Sequence, residues 1–216
     1  MKNIKKTIAI LFCVFAIQNV QAQLILKGGV NFTNYFTENN ANDAFDYSGK
    51  TGFHIGLLSE SKVNDGLGFE TGILIDTRGA RDGSSNAFSS YEQDLNPYYA
   101  TIPINLKLRL PMGDNSLFIY GGPYMSIGVA GKLKSNGTLF GSSANEEREI
   151  KWGDTNNDDL KRFDYGFSVG GGIEINNIVL GVDYGYGLAN IAPNTDDGNK
   201  IQNRMVRFSA GFILGE

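Results

Sequence analysis

Residues 163–175 read Phe163-Asp164-Tyr165-Gly166-Phe167-Ser168-Val169-Gly170-Gly171-Gly172-Ile173-Glu174-Ile175. Phe163, Tyr165, Phe167, Val169, Gly171, Ile173 and Ile175 fall on one face of an extended chain, and the residues between them fall on the other. A period of two belongs to a strand, because a helix would mix the two sets around its axis. Asn176-Asn177 follows and tolerates the positive φ of a tight hairpin turn. Ile178, Leu180, Val182, Tyr184, Tyr186 and Leu188 then alternate with Val179, Gly181, Asp183, Gly185, Gly187 and Ala189. A third stretch sets Ala100, Ile102, Ile104, Leu106, Leu108 and Leu110 against Thr101, Pro103, Asn105, Lys107 and Arg109.

Extended along the chain, the same reading predicts eight strands near 24–33, 51–60, 67–78, 98–110, 116–131, 163–175, 178–191 and 204–215. The connections alternate in length. Residues 34–50, 79–97, 132–162 and 192–203 are long and polar, whereas 61–66, 111–115 and 176–177 are short. A soluble sandwich has no cause for that asymmetry. A membrane barrel has one, with short periplasmic turns, long external loops and strands of about ten residues. The expected fold is therefore all-β, an eight-stranded antiparallel up-and-down transmembrane β-barrel with short periplasmic turns and long external loops. Pro103 and Pro123 lie mid-strand and each removes a ladder donor. A secreted lipocalin-like barrel with its apolar face inward is the alternative, since alternation alone does not orient a barrel.

Composition agrees and excludes several classes. The chain has 216 residues with 28 Gly, 14 Phe and 10 Tyr, but one His, one Cys and one Trp. Helical bundles need more Ala, Leu, Glu and Lys, and a disulfide scaffold needs paired cysteines. A lone His with no Cys beyond Cys13 argues against a zinc site and a cysteine nucleophile. Lys2, Lys5 and Lys6 precede the apolar run Ile8 to Ile17, and Val20-Gln21-Ala22 offers the small residues of a cleavage site. Residues 1–22 are expected to be a signal peptide cleaved before Gln23, and residues 23–216 a single outer-membrane barrel domain. The formal net charge is −4, and losing three lysines makes the mature chain more acidic, which leaves no basic footprint for nucleic acid.

Four motifs add a resemblance. They are Lys27-Gly28-Gly29-Val30-Asn31-Phe32, Ile102-Pro103-Ile104-Asn105-Leu106-Lys107, Tyr120-Gly121-Gly122-Pro123-Tyr124 and Tyr184-Gly185-Tyr186-Gly187-Leu188-Ala189-Asn190-Ile191. In this order and spacing the chain from Leu24 to Leu214 resembles the porin-family (PorT-like) outer-membrane β-barrel proteins of the Bacteroidota. The resemblance implies a fold and a location in the outer membrane, with outer-membrane lipid as the surrounding partner. Members are mostly of unassigned activity, and one branch is linked to protein secretion.

Motifs for chemistry are sparse. Gly166-Phe167-Ser168-Val169-Gly170 matches G-x-S-x-G, but it lies inside an alternating strand and the only His, His54, precedes it. Gly185-Tyr186-Gly187 has Asn190 where a dinucleotide motif needs its last Gly. Asp154 to Asp159 begins like a calcium loop but has Asp159 at the turn position and Tyr165 at the bidentate one. No enzyme activity and no cofactor is expected. The inner face is more informative. Lys27, Glu70, Lys107, Arg109 and Glu174 all project inward, and Glu70 on the third strand is expected to meet Lys107 or Arg109 on the fourth. An eight-stranded barrel is just wide enough for side chains to fill it, so these charges should plug the lumen.

The expected function is an interaction scaffold with a plugged lumen that displays loops at the cell surface. A narrow channel, or an accessory component of protein secretion, is the alternative. Residues 132–162 are the longest connection and carry the only Trp. Trp152, Asp154 and Asp158 are the candidate contacts for an unidentified protein or ligand; Trp152 has the alternative role of an anchor at the lipid interface. Nothing in the sequence fixes an oligomeric state.

Overall fold

The computed structural model describes residues 22–38, 48–85, 89–113, 115–139, 142–195 and 198–214. The signal peptide expected over 1–22 lies outside them except for Ala22. Ten strand segments follow in order: β1 (Ala22–Glu38), β2 (Ser48–Asn64), β3 (Leu67–Thr77), β4 (Ala80–Ser85), β5 (Ser89–Met112), β6 (Asn115–Leu139), β7 (Ser142–Glu149), β8 (Phe163–Ile175), β9 (Ile178–Gly187) and β10 (Lys200–Leu214). All pair antiparallel. The hydrogen-bonded ring runs β1-β2-β3-β5-β6-β8-β9-β10 and closes where β1 meets β10, from Leu24 opposite Leu214 to Glu38 opposite Lys200. The wall therefore has the eight strands read from the sequence. β4 resumes the course of β3 after Arg78-Gly79, bonding to β2 and β5, and β7 is added to the outer half of β6.

The wall orients itself as a membrane barrel. On β8, Phe163, Tyr165, Phe167 and Val169 are 55–69% exposed, whereas Asp164 and Ser168 between them are 2–4% exposed. The same parity puts Ile102, Leu106, Leu108 and Leu110 outside on β5, and Thr101, Asn105, Lys107 and Arg109 inside. Apolar side chains face outward and charges face inward, the reverse of a lipocalin. An outward row from Ile175 to Phe163 rises roughly 30 Å at a tilt of about 40°, which matches a bilayer's hydrocarbon core. Closure leaves no unpaired strand edge in lipid.

Local chemistry sets the turns and irregularities. Asn176 has φ 51°, which supplies the left-handed step between β8 and β9. Where Pro103 and Pro123 lack donors, the β5–β6 ladder lapses between the Pro103–Tyr124 and Leu106–Gly121 pairs. Thr71 Oγ1 donates to the Pro103 carbonyl at 2.8 Å.

Two expectations need correction. Residues 79–97 and 132–162 are not simple loops. β5 and β6 run continuously from the periplasmic turn to Ser89 and Leu139, and with β4 and β7 they form a four-stranded curtain beyond the membrane. Strands outside the bilayer have water on both faces, so nothing forces the apolar alternation that marked the wall.

Candidate functional site

The lumen is filled by polar side chains in three tiers. Nearest the periplasm, Lys107 Nζ donates to Glu60 Oε2 at 2.9 Å and to Glu174 Oε1 at 2.5 Å. Arg109 spans the same two carboxylates: Nε and Nη2 donate to Glu174 at 3.0 and 3.1 Å, and the guanidinium also pairs with Glu60. Ser116 Oγ donates to Glu174 Oε2 at 3.0 Å. Four charges thus close a ring of ion pairs, which offsets the cost of taking them out of water.

Glu70 is not the partner of Lys107 or Arg109. Its Oε1 accepts from Asn105 Nδ2 at 3.0 Å. The partner is Glu60, at the periplasmic end of the second predicted strand, on the same inward parity as His54. The strand register explains the exchange. Glu70 faces Asn105 across the β3–β5 ladder, and Lys107 faces Gly68. Gly68 has no side chain, and a Cβ there would come within 2.8 Å of Glu60 Oε1 and 3.1 Å of Arg109 Nη1. The vacancy admits Glu60 from β2.

In the middle tier, Arg207 Nε donates to Asp183 Oδ2 at 2.7 Å and Tyr120 Oη donates to Asp183 Oδ1 at 2.7 Å. Lys27 Nζ lies 3.4 Å from Tyr120 Oη. His54 bonds Asn31 Oδ1 through Nδ1 at 2.6 Å and Ser209 Oγ through Nε2 at 3.0 Å. Ser168 Oγ instead approaches Asn105 Oδ1 at 3.5 Å, so the fold makes no Ser168–His54 pair.

The external tier centres on Arg78, which sits in the gap between β3 and β4. Its Nε donates to Asp76 Oδ1 at 2.5 Å, Nη1 pairs with Asp164, and Nη2 donates to Thr101 Oγ1 and Ser126 Oγ at 2.8 Å each. The guanidinium lies 4.5 Å from the Tyr99 ring centroid and 5.3 Å from that of Tyr124. All three side chains of the Asp76–Arg78–Asp164 group are 0% exposed. Sequence reading missed Arg78, although the inward parity Glu70, Leu74, Asp76 reaches it.

A lid covers this tier. Ile150 N donates to Gly131 O, Gly128 N donates to Arg162 O, and Lys161 N donates to Ile191 O, at 2.8–3.0 Å. Leu160 of the lid is buried against Ile191, Tyr35, Ala80 and Ala189. Trp152 lies edge-on to Tyr99 at 5.6 Å, and a Cβ at Gly128 would collide with its ring. Trp152 is thus a half-buried anchor of the lid. Asp158 Oδ2 accepts from Thr155 N and Oγ1 at 3.0 and 2.6 Å, and Asp159 takes both Nη atoms of Arg148 at 2.6 and 2.7 Å. Asp154 remains exposed. Among the described residues no three His, Cys, Asp or Glu gather as a metal site.

The Arg148 fork holds Asp159 below the usual carboxylate range. A depressed carboxylate is charged, and its clasp intact, above its ordinary pKa; the clasp is lost only as pH falls through the lowered value. Limited proteolysis of the 150–162 lid should therefore stay slow at neutral and mildly acidic pH and accelerate in stronger acid. Arg148→Ala should give fast cleavage at neutral pH; equal rates in the two proteins would show that the clasp does not hold the lid.

Comparison with protein-family models gives the same fold. Residues 18–192 match the model of the outer membrane protein beta-barrel domain family. No curated protein matches the sequence. Among solved structures the chain is similar to Ail, the attachment invasion locus protein of Yersinia pestis, at 14% identity over 89% of this chain and 99% of that one, with a TM-score of 0.36. It is also similar to Neisserial surface protein A, at 12% identity over 89% and 97% with a TM-score of 0.44. OprG from Pseudomonas aeruginosa matches at 12% identity over 91% and 98%, with a TM-score of 0.39.

Proposed function

The chain belongs to the outer membrane protein beta-barrel domain family, and from that premise we propose that it is a closed interaction scaffold of the outer membrane. Its lumen is plugged by side chains, and its external curtain and lid are offered at the cell surface to a protein or ligand partner. The observation that carries the reading is the Arg78 tier, where one guanidinium joins groups from β3, β5, β6 and β8 across the lumen. Of the surface candidates, Asp154 is free to meet a partner, whereas Trp152 and Asp158 serve the lid. No catalytic step and no cofactor enters this reading. The PorT-like assignment within the Bacteroidota rests on the four motifs, and cleavage before Gln23 on the Val20-Gln21-Ala22 pattern.

A narrow channel or secretion accessory is the second reading. A vestibule of about 410 Å³ at the periplasmic mouth supports it, because it reaches Arg109 and Glu174 of the first tier. Planar-bilayer recording separates the two. A plugged scaffold should show no steady large conductance, and a stable open level from the purified barrel would favour the channel.

A further inference from the structure

The wall has a seam at its external rim. On the side of β6 that faces β8, pairing ends at Ile127–Phe163, and on the same side pairing with β7 begins at Lys132–Glu149. Backbone bonds from Gly128 to Arg162 and from Ile150 to Gly131 mark its two ends, and the ladder lapses at Val129 and Ala130 between them. A cavity of about 450 Å³ occupies the seam, lined by Tyr98, Val129, Ile150 and Trp152, with Lys132, Glu149 and Arg162 among its polar residues. Val129 is 53% exposed and continues the outward apolar belt.

The charges divide unevenly. Lys132 Nζ is taken by Glu147 at 2.5 Å, and Glu149 stands opposite Lys132 in register. Arg162 is exposed and has no acidic partner among the described residues. A groove with both apolar and charged walls that opens onto the lipid belt, at the level of the outer headgroups and beside an unpaired guanidinium, suits an anionic lipid. A guanidinium takes phosphate oxygens in a planar fork. We propose that this seam binds the phosphate-bearing headgroup of an outer-leaflet glycolipid, with Arg162 on the phosphate and an acyl chain along Tyr98, Val129 and Trp152. The site follows from the barrel's place in the membrane and holds whether or not the lumen conducts.

Trp152, the only tryptophan, lines the seam and reports on it directly. The full barrel, folded in dodecyl maltoside, is titrated with diphosphorylated lipid A, with the same lipid after phosphatase treatment, and with inorganic phosphate. The diphosphorylated lipid should change Trp152 emission saturably. Its affinity should fall about tenfold without its phosphates, and by a similar factor in Arg162→Glu. Lys62→Glu, the same charge change at the periplasmic mouth, should leave it unaltered. Arg162→Gln repeats the test without charge reversal, and heat-modifiable gel mobility verifies folding of each variant. Unchanged affinity in both Arg162 variants, or equal affinity for the dephosphorylated lipid, would overturn the proposal. Saturation by inorganic phosphate alone would reduce the seam to an anion site without a lipid and overturn it as well.

Discussion

Replacing Glu174 by alanine should lower the unfolding free energy of the barrel in detergent by about 3–5 kcal/mol. Glu174 takes Lys107 and Arg109 together, with Ser116 as a further donor. Its loss leaves two cations on a single remaining carboxylate, Glu60, with Lys107 fully buried beyond the reach of the periplasmic vestibule. Removing one partner of a buried pair costs more than the pair contributes, because the stranded charge keeps its desolvation penalty. Glu70→Ala should cost only about 1–2 kcal/mol, since it removes one hydrogen bond, that from Asn105. Paired urea titrations of the two variants give the ordering. Equal losses would return Glu70 to the ion-pair ring and contradict the Glu60 assignment.

That ordering shows what the sequence could carry. Alternation in β5 and β8 was enough to turn Lys107, Arg109 and Glu174 inward, because one face meets lipid and admits no charge. It was not enough to pair them. Pairing depends on the stagger between neighbouring strands, which moved Glu70 level with Asn105 and set Gly68 opposite Lys107. A glycine on the inner face is silent in an alternation pattern, yet here it decides which carboxylate reaches the cations. Glu60 sat at the last residue of the predicted second strand, where a boundary error of two residues hides its role. The lid was illegible for a different reason. Trp152 and Leu160 are brought together by a bridge between them and by packing on Tyr99 and Ile191, contacts between segments that share no local pattern.

The external tier should be at least as sensitive. Arg78→Ala leaves Asp76 and Asp164 facing each other in a dry lumen with no cation between them. The expected loss is about 3–5 kcal/mol from the stranded carboxylates, and the variant should refold poorly or not at all. Arg78→Lys should recover only part of this. An ammonium is a point charge, whereas the guanidinium sends Nε to Asp76, Nη1 to Asp164, and Nη2 to Thr101 and Ser126 from one rigid plane. The decisive variant removes every charge at once: Arg78→Met with Asp76→Asn and Asp164→Asn. Replacing a whole buried ionic group by neutral side chains of similar size is often neutral or stabilising. The triple variant should therefore unfold at higher denaturant than Arg78→Lys and approach the parent protein. If it is no more stable than Arg78→Lys, the contribution of Arg78 lies in packing against Tyr99 and Tyr124, at 4.5 and 5.3 Å, and not in neutralising two carboxylates. Trp152 emission distinguishes these outcomes a second time. Its ring rests on Tyr99, so loss of that packing would loosen the lid and redden the emission, while loss of charge alone would leave the lid seated.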